Sequence, residues 1–542
     1  MLKRSNRFLV LCGLLLLLAA SHALNYPAGE PFFNNDETRH VMTGVYFRDL
    51  LHDLPIARPG DYTISYYLQY PALGLLVWPP CFYFVEGVFM SVFGTSFVAA
   101  KSLVAVYAAI ACCYLFFLVC RTHDRRRASV AVLVFGLSPL VFQFSSYVML
   151  EVPTLAAGLA ATFYFLRYLD DERRRDIFLA ALSAALAALT RFDAVYLLPF
   201  FLILLVARGR PGIIRRREVL LAGVVAALLV LPFYALTTAG IGWFHFKNVT
   251  EQVAPGQPDF FSLERIFFYP SSLPGQLGWL ALLPAVVGCV GGLTTARRGQ
   301  SLVYFAMIVA CYVTFTPMAE IEPRHTIYWV PAFALFAAEG LALLVQALRA
   351  PKLYLPLAAA FLSGMAWQAV AAPQHSVRGY EEAARHVVAG TSSSPFCLFI
   401  GNLNGNFIYQ VRRRDDARRL WVLRADKLLY SVLVNQEFGY KQFAASDEEI
   451  LSKIYRYDPE FVVMQDAQTA NTVPAENHVR AVINNHPERF RLEKIVPVET
   501  DDPAFRGMQL KVFRNILRND NPERQLDIEV LMLRRSVQAV VP

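Results

Sequence analysis

RTHDRRRASVAVLVFGLSPLVFQFSSYVMLEVPTLAAGLAATFYFLRYLDDERRR, residues 121–175, is the stretch on which the fold turns. Two apolar runs, near 129–147 and 153–169, are bracketed by arginines and meet at a lone carboxylate, Glu151. About 20 apolar residues cross a bilayer as a helix, and Lys and Arg favour the cytoplasmic side of short loops. The pair therefore reads as a helical hairpin with both arginine clusters inside and Glu151 at its outer end.

The same reading extends outward. Apolar runs near 8–24, 97–120, 178–190, 194–207, 219–239, 276–294, 301–317, 326–348 and 353–371 bring the total to about eleven spans. With the N-terminus inside, Arg121 with Arg125–Arg127, Arg173–Arg175, Arg208 with Arg215–Arg217, Arg297 with Arg298, and Arg349 with Lys352 all fall on the cytoplasmic side. Acidic residues played no part in choosing the spans, yet Asp36, Glu37, Glu151, Asp193, Glu320 and Glu322 all fall on the other face. The register requires 70–93 to lie in or re-enter the outer interface, which Pro71, Pro79, Pro80 and its aromatic density favour.

Composition agrees. The chain is 56% hydrophobic and only 17% charged, against about 25% charged for a soluble domain. The formal charge of +8 sits in short clusters between apolar runs, so it marks topology and not a nucleic-acid surface. The eight cysteines show no disulfide framework or metal spacing. Lys3, Arg4 and Arg7 precede an apolar run that reads as an uncleaved anchor, with a cleavable signal peptide as the alternative.

The expected fold is thus a membrane all-α polytopic bundle with a C-terminal soluble α/β domain. Residues 1–372 form the membrane domain with an outer loop at 25–96. Mixed polar sequence over 373–516 forms an extracytoplasmic α/β domain whose buried strands include 397–401 and 461–465, and 517–542 reads as a tail.

Four places carry chemistry. In FFNNDETRHVMTGVYFRDLL (32–51), Asp36 and Glu37 open a helix, where they serve equally as ordinary first-turn acids. Glu151 is a carboxylate at membrane depth, a costly placement that points to a cavity or a partner. In TPMAEIEPRHTIYWVP (316–331), Arg324 runs against the inside bias for cations. Its planar guanidinium suits a lipid phosphate, and equally a salt bridge to Glu320 or Glu322. Arg191 and Asp193 form a further outer pair. The aromatic loop from Gly240 to Gly275, with His245 and Lys247, is long for a linker. The Asn248-Val249-Thr250 glycosylation pattern is discounted.

DETRH, PPCFYF, YVMLEVP and EPRHTIYWVP resemble the GT-C glycosyltransferases, and most nearly the bacterial protein mannosyltransferase and aminoarabinose transferase group. The resemblance covers the chain to about residue 372, and the outer α/β domain is also similar to one such enzymes append. It implies transfer of a sugar from a polyprenyl-phosphate donor to a glycan, lipid or protein acceptor at the extracytoplasmic face of a bacterial inner membrane. In that family the first outer loop supplies the acid that activates the acceptor, which implies catalytic roles for Asp36, Glu37 and Glu151. It further implies donor-phosphate contacts from Arg324, Arg191 and His325, and substrate contacts from Tyr83, Asp193 and Glu322. The family acid at position 151 is usually Asp, and Trp78 stands where a His often precedes the prolines. A divalent cation, Mg or Mn, is left open, with Glu37 and Glu151 as candidate ligands. The rival readings are a polytopic transporter and a non-catalytic envelope scaffold.

Overall fold

The structure is a computed structural model that describes residues 11–20, 22, 35–242, 257–294, 298–372, 375–432, 439–466, 472–500 and 502–541. Lys3, Arg4, Arg7, His245, Lys247, the Asn248 pattern and Arg297 lie outside them. Its helices are α1 (Leu11–Ala20), α2 (Asn35–Asp53), α3 (Pro59–Gln69), α4 (Cys81–Phe93), α5 (Phe97–Thr122), α6 (Arg125–Leu137), α7 (Pro139–Phe144), α8 (Glu151–Asp171), α9 (Arg174–Ala188), α10 (Leu197–Ala207) and α11 (Arg217–Ile241). There follow α12 (Leu263–Leu277), α13 (Trp279–Thr294), α14 (Arg298–Phe315), α15 (Val330–Ala347) and α16 (Tyr354–Ala371), and then a domain of mixed structure.

Among the described residues five helices, some counted with an adjoining 3-10 turn, are long and apolar enough to cross a membrane: Phe97–Thr122, Glu151–Asp171, Arg217–Ile241, Pro323–Ala347 and Pro351–Ala371. The remaining apolar helices are shorter, because several runs expected as single spans are broken. Proline has no N–H to donate and forces the preceding residue out of the helical region. Ser138 is accordingly extended before Pro139, and the run 129–147 becomes α6 and α7. Gly278, at φ +83°, separates α12 from α13. Residues 263–275, expected within a loop, are helical because the Ser262 hydroxyl accepts from the Arg265 backbone N–H and caps α12.

The chain divides into two compact units, the first made of Met1–Tyr26, Val77–Phe82 and Lys101–Gln374. Within it α13 and α15 cross closely: a Cβ on Gly288 would meet the Phe336 carbonyl oxygen, and one on Gly340 the Pro284 carbonyl. Small residues permit such backbone approach between membrane helices. On α11, Leu220, Val224, Leu228 and Leu231 are exposed. An apolar face of that size belongs in hydrocarbon, and the protein is an integral membrane protein.

The second unit takes Pro27–Leu76, Tyr83–Ala100 and His375–Pro542. Its later part contains β1 (Val377–Arg378), α17 (Tyr380–Gly390), β2 (Phe396–Ile400), α18 (Asn404–Arg414), β3 (Trp421–Arg424), α19 (Ala425–Leu428), β4 (Tyr430–Val432) and β5 (Tyr440–Gln442). It continues through α20 (Asp447–Tyr457), β6 (Phe461–Asp466), α21 (Pro474–Asn485), β7 (Phe490–Pro497), β8 (Glu499–Thr500), β9 (Gln509–Asn515), β10 (Gln525–Val530) and β11 (Arg535–Val540). A five-stranded sheet, in the order β3-β2-β6-β9-β7, is parallel across β3, β2 and β6 and antiparallel across β6, β9 and β7. The strands at 396–400 and 461–466 match the expectation. Residues 517–542, expected as a tail, instead carry the β10–β11 hairpin, whose Leu526, Ile528, Val530 and Val537 enter the domain core. Alternating apolar residues at that spacing bury one face of a hairpin.

Most of the segment expected as an outer loop of the membrane domain, all but 25–26 and 77–82, is part of this second unit. Leu68 of α3 joins the same core, and Asp49 of α2 forms a buried pair with Arg412 of α18 at 2.6 Å. The Tyr66 hydroxyl donates to Asp49 at 2.7 Å, and the Arg424 guanidinium donates to the Pro71 carbonyl at 2.5 Å.

Glu460 ties the sheet to the turn before β2. It accepts from the backbone N–H groups of Ser392, Ser393 and Ser394 at 3.0, 2.9 and 3.2 Å, and from Arg514 at 2.9 Å. Burial alone would raise its pKa, but these donors outweigh it and hold the carboxyl at about 2. A depressed carboxyl contributes stability above its ordinary value of 4.5 and loses it as pH falls towards 2. Glu460→Gln is therefore expected to speed hydrogen exchange in β2 and β6 at neutral pH, and to flatten its acid dependence between those two values.

Candidate functional site

The first unit gathers five of the charged residues singled out in the sequence. Glu151, the first residue of α8, is fully buried, and its Oε1 lies 3.0 Å from Arg191 Nη1 and 3.6 Å from Arg324 Nη1. Arg191 Nε donates to Asp193 at 2.5 Å, Arg324 Nε pairs with Glu322, and the Tyr328 hydroxyl donates to Asp193 at 3.4 Å. Three acids and two guanidinia thus alternate. A buried carboxylate is tolerable only when so matched.

Local backbone sets this up. The expected spans 178–190 and 194–207 are joined by a break at Leu189–Arg191 and a 3-10 turn, Phe192–Tyr196. That turn reaches α8 because Gly158 has no side chain: a Cβ there would lie 2.4 Å from the Tyr196 hydroxyl. Tyr196 stacks on Tyr328 with centroids 4.7 Å apart, and His325 lies beside the Phe315 ring. Arg191 is thereby fixed against Glu151.

The loop carrying Glu322 and Arg324 is held from α12 by two buried side chains three turns apart. Arg265 Nε donates to the Pro258 carbonyl at 3.0 Å, and its two terminal nitrogens reach the carbonyls of Thr316, Met318 and Ala319. The Phe260 ring lies 4.7 Å from the guanidinium. Gln276 Nε2 donates to the Pro323 carbonyl at 2.8 Å and to Thr326 Oγ1 at 2.9 Å, while its Oε1 accepts from Trp329 Nε1 at 2.6 Å. Neither residue stood out in the sequence. A single Arg and a single Gln in a helix rich in apolar residues were the signal available.

Asp36, Glu37 and Tyr83 lie in the second unit. The N-terminus of α2 is anchored by the turn before α18: Asn35 Nδ2 donates to the Asn402 carbonyl, and Asn35 Oδ1 accepts from the Gly405 N–H at 3.2 Å. Gly405 is required there, since a Cβ would lie 2.0 Å from Thr38 Oγ1. Asp36 then stands 38% exposed, in a loose pair with Arg39 at 3.5 Å, while Glu37 is buried. Tyr83, expected to touch substrate, is itself buried, and its hydroxyl meets His40 Nδ1 at 2.6 Å, tying α4 to α2.

One turn along α4, the buried Glu86 carboxyl occupies the space left by Gly44 of α2. Neither of its oxygens has a hydrogen-bond partner among the described residues. Burial pushes its pKa well above the usual carboxylate range. Among the described residues no group of three or more His, Cys, Asp or Glu side chains is arranged to hold a cation. Glu151, one of the two candidate ligands, faces arginines instead.

Comparison with known proteins places this architecture. The family model for dolichyl-phosphate-mannose-protein mannosyltransferases matches residues 77–235. ArnT from Cupriavidus metallidurans bound to undecaprenyl phosphate is similar over 95% of this chain and 99% of its own, at 14% identity and a TM-score of 0.64. The Archaeoglobus fulgidus oligosaccharyltransferase in its apo form is similar over 84% of this chain and 69% of its own, at 12% identity and a TM-score of 0.54. For the arabinofuranosyltransferase AftD from Mycobacteria the coverage is 96% of this chain and 40% of that one, at 14% identity and a TM-score of 0.53. No curated protein matches in sequence. The chain has the GT-C fold.

Arg265→Met leaves the carbonyls of Thr316, Met318 and Ala319 unpaired, a loss of about 1–3 kcal/mol for each buried polar group left bare. The expected outcome is a lower melting temperature in detergent, with hydrogen exchange over residues 316–322 faster than in Arg265→Lys.

Proposed function

From this fold, we propose that the protein is a glycosyltransferase that moves a sugar from a polyprenyl-phosphate donor to a cell-envelope acceptor, a glycan, lipid or protein, at the extracytoplasmic face of a bacterial inner membrane. The observation that carries the proposal is the alternating Glu151–Arg191–Asp193 and Glu322–Arg324 cluster, set in a fold shared along nearly the whole chain with an enzyme captured with undecaprenyl phosphate.

The two arginines divide the work. Arg191 has Nε and Nη1 taken by two buried carboxylates, so it serves to hold Glu151 in place. Arg324 is partly exposed, and its contact to Glu151 is long at 3.6 Å. It is the guanidinium that meets the donor phosphate, with His325 beside it, and charge building on the leaving oxygen strengthens that contact as the bond breaks. Release of Glu151 from Arg324 on donor binding leaves it on Arg191, so the carboxylate never stands alone.

Asp36 is the general base in preference to Glu37, because it is open and loosely held while Glu37 is buried. Its carboxylate takes the proton from an acceptor hydroxyl as that oxygen attacks the anomeric carbon. The bond from the anomeric carbon to the phosphate oxygen breaks, polyprenyl phosphate departs, and the anomeric configuration inverts. General-base assistance is worth about 10² to 10⁴ in rate.

Purified protein incubated with labelled polyprenyl-phosphate sugars is expected to release polyprenyl phosphate; a transporter or scaffold releases none. Asp36→Asn is expected to insert and fold normally and to lose about 10² to 10⁴ in turnover; turnover near that of the wild type removes Asp36 from the reaction. Arg324→Ala is expected to raise the donor concentration needed for half-maximal rate by about tenfold or more, the value of one charge-assisted contact. Unchanged donor dependence withdraws its phosphate role.

A further inference from the structure

A cavity of about 610 Å³ lies in the first unit beside the arginine cluster that follows α5. Arg125 and Arg126 line it from the start of α6, Val345 and Gln346 from the last turn of α15, and Pro351 and Tyr354 from the turn into α16. It is separate from the Glu151 cluster: the 13 residues of α6 rise about 20 Å before the chain enters α7 and reaches Glu151.

The charges around this cavity are unevenly satisfied. Asp124 accepts from the backbone N–H groups of Arg126 and Arg127 at 3.0 and 3.1 Å and pairs with the Arg127 side chain. Arg127 Nε also lies 2.8 Å from Glu339, which His123 meets at 3.3 Å. Both nearby acids are therefore paired with Arg127, and Glu339 also meets His123. Arg125 and Arg126 are exposed, and their guanidinia have no carboxylate partner among the described residues. Leu348, Leu353 and Leu355, neighbours in the chain of the lining residues Gln346, Pro351 and Tyr354, are 66%, 47% and 75% exposed. Water disfavours three bare leucines beside a cationic pocket.

We infer that this cavity binds the phosphate headgroup of an anionic glycerophospholipid, with Arg125 and Arg126 on the phosphate oxygens, Tyr354 at the cavity wall and the acyl chains over Leu348, Leu353 and Leu355. Guanidinium forks match phosphate geometry, and basic pockets between membrane helices select lipids by headgroup charge. Arg349 and Lys352, adjacent in sequence to the lining, add positive charge that rejects a choline headgroup.

The test uses the full chain, stripped of lipid in detergent and rebuilt into nanodiscs of phosphatidylcholine with or without phosphatidylglycerol. Thermal unfolding and native mass spectrometry are the readouts. Phosphatidylglycerol is expected to raise the melting temperature and to stay bound, whereas phosphatidylcholine alone and soluble glycerol phosphate do neither. Arg125→Gln with Arg126→Gln is expected to weaken retention by about tenfold or more. Arg174→Gln with Arg175→Gln, a matched change in another arginine cluster, is expected to leave it intact. Gln346→Trp fills the cavity while keeping both guanidinia, and is expected to abolish retention even if the double variant folds poorly. The inference is overturned if Gln346→Trp retains phosphatidylglycerol like the wild type, if both arginine pairs lose it equally, or if glycerol phosphate reproduces the shift.

Discussion

A single guanidinium, Arg191, lies between two buried carboxylates, and the architecture of the first unit is arranged around satisfying it. Removing one partner from such a group leaves a bare charge in a medium that solvates it poorly, at a cost of several kcal/mol. The start of α8, the break between α9 and α10 and the 3-10 turn after it must therefore meet in one place. Gly158 makes that meeting sterically possible, and the Tyr196–Tyr328 stack joins the 3-10 turn to the segment that carries Arg324. Arg324 then joins an electrostatic arrangement that already exists. That order suits a site in which the charge that fixes the carboxylate and the charge that meets a ligand are on different side chains.

The second unit treats its acids in the opposite way. Asp36 is kept at the surface by an anchored helix start, while Glu37 and Glu86, close to it in sequence or packing, are buried. Carboxyls of one unit are thus separated by environment into one open to solvent and others closed off from it. Glu86 makes the point most clearly: its carboxyl is pressed into the notch of Gly44, and burial there raises its pKa well above the usual carboxylate range.

Much of the membrane part was legible because hydrocarbon imposes simple rules. Arginine clusters and lone acids at the ends of apolar runs located Glu151, Arg191, Asp193, Glu322 and Arg324, which meet because buried charges must find one another. Helix breaks were harder to see, since Ser138–Pro139 and Gly278 interrupt runs that are apolar throughout. The helix at 263–277 was hidden by its prolines and by the polar loop before it. Pairing at long range escaped entirely: nothing in the spacing of Asp49 or Leu68 announces partners more than 300 residues away. The terminal hairpin was missed for a related reason, as its alternating apolar face makes sense only once α3 and the sheet are there to cover it.

The buried Asp49–Arg412 bond joins residues 363 apart in sequence. At a synthesis rate of about 5–20 residues per second, roughly 20 to 70 s separate the emergence of the two. Throughout that interval α2 and α3 wait with an acid and an apolar flank uncovered. Maturation is consequently a closing of α2 and α3 upon elements made long after them, and a nonsense change just before the β10–β11 hairpin strips cover from a segment translated hundreds of residues earlier.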